Sequence, residues 1–346
     1  MLAGPVLIAD RFSPGIYWPA GFLSYGIPFI ILINGILLAY TFFTAKWVRF
    51  IPHLLIVLLS SKFVLRTIAF HSTTDFVDTG KKISVLSYNV RVFNVYQHLH
   101  KEDPEKPKHL LGWINKDDSD IKCFQEFYNQ DTSVVYNTLE KISQKGKYKY
   151  YFTKVFRNEV GAVFGIATFS KFPIVHYGSI PFEASKNKAL YTDVLINRGD
   201  TLRIINVHFE SIHMDEEGLF TYEAVETTKR HVTGLFKRLK KGFKKRAEQL
   251  KEVEKYILES RYPVILCGDI NDLPYSYTYS QIKKQLYNAF EEAGNGFGFT
   301  YNGKIKFLRI DNQFFDPRLR ILSFETLRDV SFSDHYPIKG IYTWDD

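Results

Sequence analysis

The chain has 346 residues, 45% of them apolar and 16% aromatic, and a formal net charge of +8. That apolar share excludes an intrinsically disordered chain, and the length exceeds what one ordinary domain needs. Its two cysteines, Cys123 and Cys267, each lie inside an apolar run and support no disulfide framework, while the positive charge favours anionic partners without specifying any chemistry.

No charged residue lies between Arg11 and Lys46. Within that stretch, residues 22–43 (FLSYGIPFIILINGILLAYTFF) are apolar enough to cross a bilayer core, for which about 20 residues suffice. A second run, residues 51–70, carries His53, Lys62 and Arg66; the two longer cations sit toward one end, where they can snorkel to the interface. The pattern predicts two N-terminal transmembrane helices, with a buried soluble hairpin as the alternative. A cleaved signal peptide fits badly, because no basic stretch precedes the first run. Lys46 and Arg49 in the short connection place it on the cytoplasmic side, which sends the rest of the chain outward. Arg66, Lys81 and Lys82 pull the other way. The abrupt start at Met1 leaves room for a helix upstream.

Residues 71–81 read as a polar linker, and from Lys82 to the end the pattern is that of a single globular α/β domain. Strand-like runs recur at 83–90, 120–126, 160–170, 190–196, 201–209 and 263–270, rich in Val, Ile, Phe and Tyr and separated by turn residues. The clearest helix is predicted over 227–260, where Leu235, Leu239, Phe243, Ala247, Leu250 and Ile257 fall at helical spacing. Between Lys229 and Lys251 it carries ten Lys or Arg residues and one acid, Glu248, which suits a solvated face or an attraction to acidic lipid or polyanions. Short strands with a few helices predict two stacked sheets covered by helices.

Polar residues with chemical potential cluster at the ends of those strands. Asn89 lies in SYNV at the end of the first strand, Glu126 closes CFQE, His208 lies in NVHF, and Asp269 and Asn271 follow VILC in GDIND. Asp311 lies in RID, and Asp334 and His335 in SDHYP. Singly, each reads as a turn former, an edge residue or a satisfied histidine. Together they make a set of oxygen donors and imidazoles without a cysteine ligand, which suits a hard cation, Mg²⁺ or Mn²⁺, and phosphate-ester hydrolysis.

In this order the motifs SYNV, QE, NVH, GDIND, RID and SDHYP resemble those of the endonuclease/exonuclease/phosphatase superfamily, over roughly Lys82 to Trp344. The two apolar segments and the stretch VILCGDINDLPYSYTY look like membrane-linked members from Bacteroidetes-type bacteria. The resemblance implies a four-layer α/β/β/α sandwich of two mixed sheets. It implies Mg²⁺ at Glu126 with Asn89 and Asp334 nearby, and Asp269 acting on the attacking water. Asn271 would contact the phosphate, and His335, oriented by Asp311, would donate to a non-bridging oxygen. His208 matches a second phosphate-facing group. Asn312 and Ile270 depart from the family's usual aromatics and bear on local packing only. The substrate is expected to be a phosphate ester, of nucleic acid or of a phospholipid headgroup or inositol phosphate. The expected setting is a bacterial inner membrane, with a monomeric catalytic domain outside the cytoplasm. A catalytically silent membrane-tethered binding module and an accessory domain of a membrane channel are the alternatives.

Overall fold

In the computed structural model, residues 3–71, 81–100, 103–157, 159, 161–183, 188–197, 199–212 and 225–344 are described. Nearly all of the predicted linker lies outside them. Helices α1 (Ala3–Leu7), α2 (Pro19–Tyr25), α3 (Ile27–Phe43) and α4 (Trp47–Leu65) come first, followed by the short strand β1 (Ile68–Phe70). Next come β2 (Ile83–Asn89), α5 (Val95–Leu99), α6 (Lys106–Lys116), β3 (Ile121–Asn129), α7 (Thr138–Ser143), β4 (Lys149–Arg157) and β5 (Val163–Ser170). Strands β6 (Ile174–Ile180), β7 (Ala189–Asn197) and β8 (Asp200–His208) lead to the long helix α8 (Val225–Leu258) and β9 (Val264–Asp269). The chain closes with α9 (Tyr277–Ile282), β10 (Tyr287–Asn288), α10 (Ala289–Ala293), β11 (Asn295–Phe297), β12 (Asp311–Phe315), β13 (Arg320–Thr326) and β14 (Ile338–Thr343).

Two six-stranded sheets result, in the orders β13-β14-β2-β3-β5-β4 and β10-β12-β9-β8-β7-β6. Each is mixed: β2 runs parallel to β3 and β8 parallel to β9, and the other pairs are antiparallel. Ile83, Val85, Ile121 and Cys123 of the first sheet meet Ile204, Ile265 and Cys267 of the second in a common apolar layer. Fully burying a side chain of this kind contributes about 1.5–3 kcal/mol. Nearer the site the layer turns polar. Gln125 donates to Asn206 Oδ1 at 2.7 Å, and Gln313 donates to the carbonyls of Val85 (3.0 Å) and Ile338 (3.1 Å). These bonds cross from one sheet to the other and fix how their ends face. Leu110, Leu111 and Ile114 of α6 cover the outer side of the first sheet, and Leu250, Val253 and Ile257 of α8 that of the second.

The N-terminal helices depart from the predicted pair. The run 22–43 is broken at Gly26, so that α2 and α3 meet at 43°. Helix α4 starts before residue 51 and ends at Leu65, and β1 then pairs antiparallel with β11 of the globular part. Among the described residues one helix, α4, is long and apolar enough to cross a membrane, or two if the bent α2–α3 pair forms one span. Arg66 does not snorkel. It is buried, donates to the Pro274 carbonyl at 2.8 Å and to Ser280 Oγ at 2.9 Å, and lies 3.7 Å from Asp10. Asp10 also accepts from Lys62 at 3.2 Å, and pairing of this kind is what makes a buried guanidinium tolerable. Val6, Leu7, Ile27 and Phe63 share an apolar cluster with Leu273, Tyr275 and Ile310, so the N-terminal helices are seated on the globular part.

Candidate active site

The polar strand-end residues converge because β2, β3, β8 and β9 all end at one edge of the sandwich. Antiparallel β12 and β14 begin there. His208, Asp269 and Asp311 are register partners across neighbouring strands, His208 with Asp269 and Asp269 with Asp311. Gly268 makes this edge possible. Its φ is +135°, and a Cβ there would stand 2.1 Å from the Val207 carbonyl oxygen, so no other residue fits between β8 and β9. Glu126 sits where the β3–β5 pairing slips between Phe124 and Phe127, with φ +48°. That bulge turns its carboxylate toward the cleft. Asn271 is also left-handed, with φ +50°, and its N–H closes back on Asp269 Oδ1 at 2.8 Å.

Asp269 is the centre of the cluster. Its Oδ2 accepts from Asn89 Nδ2 at 3.2 Å and lies 3.8 Å from His208 Nε2 and 3.9 Å from His335 Nε2. Burial, with the nearby charge of Asp311, raises its pKa to about 6, although both histidines and the Asn271 N–H oppose the shift. His335 Nδ1 donates to Asp311 Oδ2 at 2.8 Å, the pairing expected of those two residues. Burial alone would lower the His335 pKa, but Asp311, then Asp269 and Asp334, outweigh it and raise it to about 10. The ring is therefore a cation at neutral pH, and its Nε2–H faces Asp269.

Two carboxylates remain more open. The side chains of Glu126 and Asp334 are 36% and 26% exposed, and both line one cavity of about 440 Å³ with Asp269, Asn271 and His335. Glu126 lies 3.7 Å from His208 Nε2, and Asp334 3.4 Å from Arg91 Nε. Asn89 donates through Nδ2 to Glu126 at 3.4 Å, while its Oδ1 accepts the Arg91 N–H at 3.1 Å. Its amide nitrogen thus bridges Glu126 and Asp269, which places Asn89 beside the open carboxylate Glu126.

These residues fit a divalent cation. Glu126 and Asp334 offer hard oxygen donors facing the cavity, and both cysteines are buried away from it. Asp269, Asp311 and His335 also bring donor atoms within 4.8 Å of one another. A protonated imidazole with Nδ1 committed to Asp311 has no lone pair to give, so this trio suits proton handling better than ligation.

All eight expected residues meet here. The reading of residue types missed their supports: Gln125, Asn206, Gln313, and Ser333, whose hydroxyl donates to the Asn89 carbonyl at 2.8 Å. Buried polar residues inside otherwise apolar strands were the available signal. It also missed Tyr25, which reaches the cavity from α2.

A sequence model described as "Endonuclease/Exonuclease/phosphatase family" matches residues 86–335, and one described as "Domain of unknown function (DUF8431)" matches residues 5–67. No curated protein matches the chain. Among solved structures, the human Nocturnin catalytic domain with bound sulfate superposes with a TM-score of 0.56 at 18% identity, covering 78% of this chain and 97% of that one. An endonuclease/exonuclease/phosphatase family protein from Bacteroides thetaiotaomicron gives a TM-score of 0.56 at 17% identity, with 77% and 99% covered. A mannosyl-6-phosphatase from the same species gives 0.54 at 18%, with 76% and 100% covered. At these identities the likeness is one of fold.

Proposed function

The chain belongs to the endonuclease/exonuclease/phosphatase family of phosphoric ester hydrolases, and from that premise we propose that it is a Mg²⁺-dependent phosphoesterase, with Mn²⁺ as a substitute, acting on phosphodiesters or phosphomonoesters. The observation that carries this reading is the pairing of a carboxylate raised to about 6, Asp269, with an imidazolium raised to about 10, His335, in one cavity. Groups whose surroundings push their pKa values apart in this way are suited to act as base and acid.

Glu126 and Asp334 would hold the cation, which supplies charge neutralisation at the phosphoryl oxygens. Asp269 takes a proton from water as the water oxygen bonds to phosphorus. Asn271 and Asn89 hold the carboxylate in place meanwhile. His335 donates from Nε2 to a non-bridging oxygen, where negative charge builds as the ester P–O bond breaks. Asp311 keeps that ring protonated and oriented. His208, beside both Glu126 and Asp269, is placed to give the departing oxygen its proton.

The same reading inserts the α3–α4 hairpin in a bacterial inner membrane. Its Phe29, Leu32, Ile36, Leu55, Leu58 and Leu59 are exposed, and His53 meets Asn34 at 2.9 Å between the helices, a polar contact of the kind that joins helices in lipid. Lys46 and Arg49 at its tip face the cytoplasm, leaving the catalytic part outside. The test of the chemistry is hydrolysis of bis(4-nitrophenyl) phosphate with Mg²⁺. Turnover should fall about 10² or more in Glu126→Gln, and an unchanged rate in that variant would overturn the reading.

A further inference from the structure

The cavity that holds the catalytic groups has a second wall of opposite character. Leu235 and Leu239 of α8, Leu273 after β9, Leu308 and Ile310 before β12, and Tyr25 at the end of α2 line it. Among the described residues that line it there is no lysine or arginine, although Arg91 stands beside the lining residue Asp334, 3.4 Å away. A cleft that tracks a nucleic-acid backbone needs cations along the phosphates. This wall offers aliphatic carbon within a chain's length of Asp269 and His335. At about 440 Å³ the space falls in the usual range for small ligands and admits a phosphate with a short stretch of alkyl chain.

A second observation comes from how the wall is attached. Tyr25 is separated only by Gly26 from α3, the helix whose Phe29, Leu32, Ile33 and Ile36 are turned outward. Helix α8 packs on α2 through Phe236, stacked on Phe22 at 4.5 Å, and through Phe243, edge-on to Tyr25 at 5.2 Å. On its other flank α8 exposes Lys237, Arg238 and Lys241, cations suited to anionic headgroups. The apolar side of the cavity is thus continuous, through one turn of chain, with the apolar hairpin.

We infer that the substrate is a phosphate ester of an amphiphile, its phosphate on the polar floor and the first methylenes of its hydrocarbon along Leu235, Leu239, Leu308 and Ile310. The inference rests on the phosphoesterase reading above and adds the substrate class. The lipid reaches the site along α3 with its headgroup leading, and α2 and α8 form the gateposts.

The experiment uses the full-length protein in lipid nanodiscs with Mg²⁺ and a series of alkyl 4-nitrophenyl phosphodiesters from methyl to decyl. kcat/KM should rise about fourfold per methylene over the first few carbons, as expected for apolar burial, reaching more than 100-fold before it levels. In Leu239→Asp that slope should flatten. Leu239→Trp, which keeps the wall apolar but narrows it, should level at a shorter chain and serves if the aspartate variant does not fold. A slope unchanged in both variants would assign it to partitioning into lipid and overturn the inference. Hydrolysis without chain-length dependence, or faster cleavage of plasmid DNA than of the decyl ester, would also overturn it while leaving the phosphoesterase standing. No hydrolysis of any ester would instead remove the phosphoesterase reading itself.

Discussion

The cleft edge and the α3–α4 hairpin break the usual rule of burial in opposite directions. At the cleft, Asp269, Asp311 and His335 are buried, 1%, 3% and 6% exposed, and they are tied together by a dense set of hydrogen bonds. In the hairpin, leucines, isoleucines and phenylalanines stand outward along two helices. A buried charge is costly unless paired, and an apolar face of this size is costly in water. The first region meets its cost from within: Asp311 answers His335, and Asn271 and Asn89 answer Asp269. The hairpin contains no comparable answer, and under the reading proposed above the bilayer supplies it. Where a sequence accepts such costs, function is the usual reason.

The largest effect that can break this comparison is at the buried end. Asp269→Asn keeps the shape and the Asn271 contact but removes the base, and should lower kcat by about 10²–10⁴ with little change in thermal midpoint. A large drop in Tm with activity retained in the folded fraction would contradict the role. At the exposed end, Leu55→Lys with Leu59→Lys should be nearly neutral for folding in water. Each lysine costs about 2.5–3.5 kcal/mol at the centre of a membrane helix, so the pair should shift the protein out of the membrane fraction. Retention of the doubly substituted protein in carbonate-washed membranes would speak against insertion.

A subtler test concerns the sign of the electrostatics. In the proposed mechanism Asp269 works ionised and His335 protonated, so the profile should rise through about pH 6 and fall through about pH 10. Asp311 is the main group raising His335, and it also raises Asp269. Asp311→Asn should therefore move the alkaline limb down toward neutrality and the acid limb lower, which pH–rate profiles will read; an unmoved alkaline limb would deny Asp311 its part. The smallest effect lies at the joint between the two regions. A Cβ on Gly21 would stand 2.4 Å from the Phe243 ring, so Gly21→Leu should wedge α2 from α8 at a cost of about 1–3 kcal/mol. Thermal unfolding measures it, and no change in Tm would mean that α2 is not seated on α8.

Much of the catalytic edge was legible because each motif joins a local geometry to a chemical group. GDIND contains the glycine that lets β8 and β9 close and the aspartate placed by that closure, and SDHYP carries His335 to the start of β14. The sheets were legible from runs of β-branched and aromatic residues. What was not legible depends on partners distant in sequence. Gln125, Asn206 and Gln313 read as ordinary strand residues until the two sheets are stacked. The strand at 68–70 and the burial of Arg66 follow from docking against Pro274, Ser280 and Asn295–Phe297. Hydropathy alone, which scores a run without its neighbours, extends the second apolar segment through them. The orientation of Asn89 was hidden for the same reason, since its oxygen is claimed by the turn at Arg91.

Under the proposed reading, the open carboxylates Glu126 and Asp334 hold a divalent cation on which phosphoester hydrolysis depends. Hydrolysis of bis(4-nitrophenyl) phosphate by the full-length protein after EDTA treatment, followed by back-titration with Mg²⁺, tests it most directly. The expected result is activity lost in EDTA and restored by Mg²⁺ or Mn²⁺, with the restoring concentration raised at least tenfold in Asp334→Asn. Full activity in EDTA would contradict the claim.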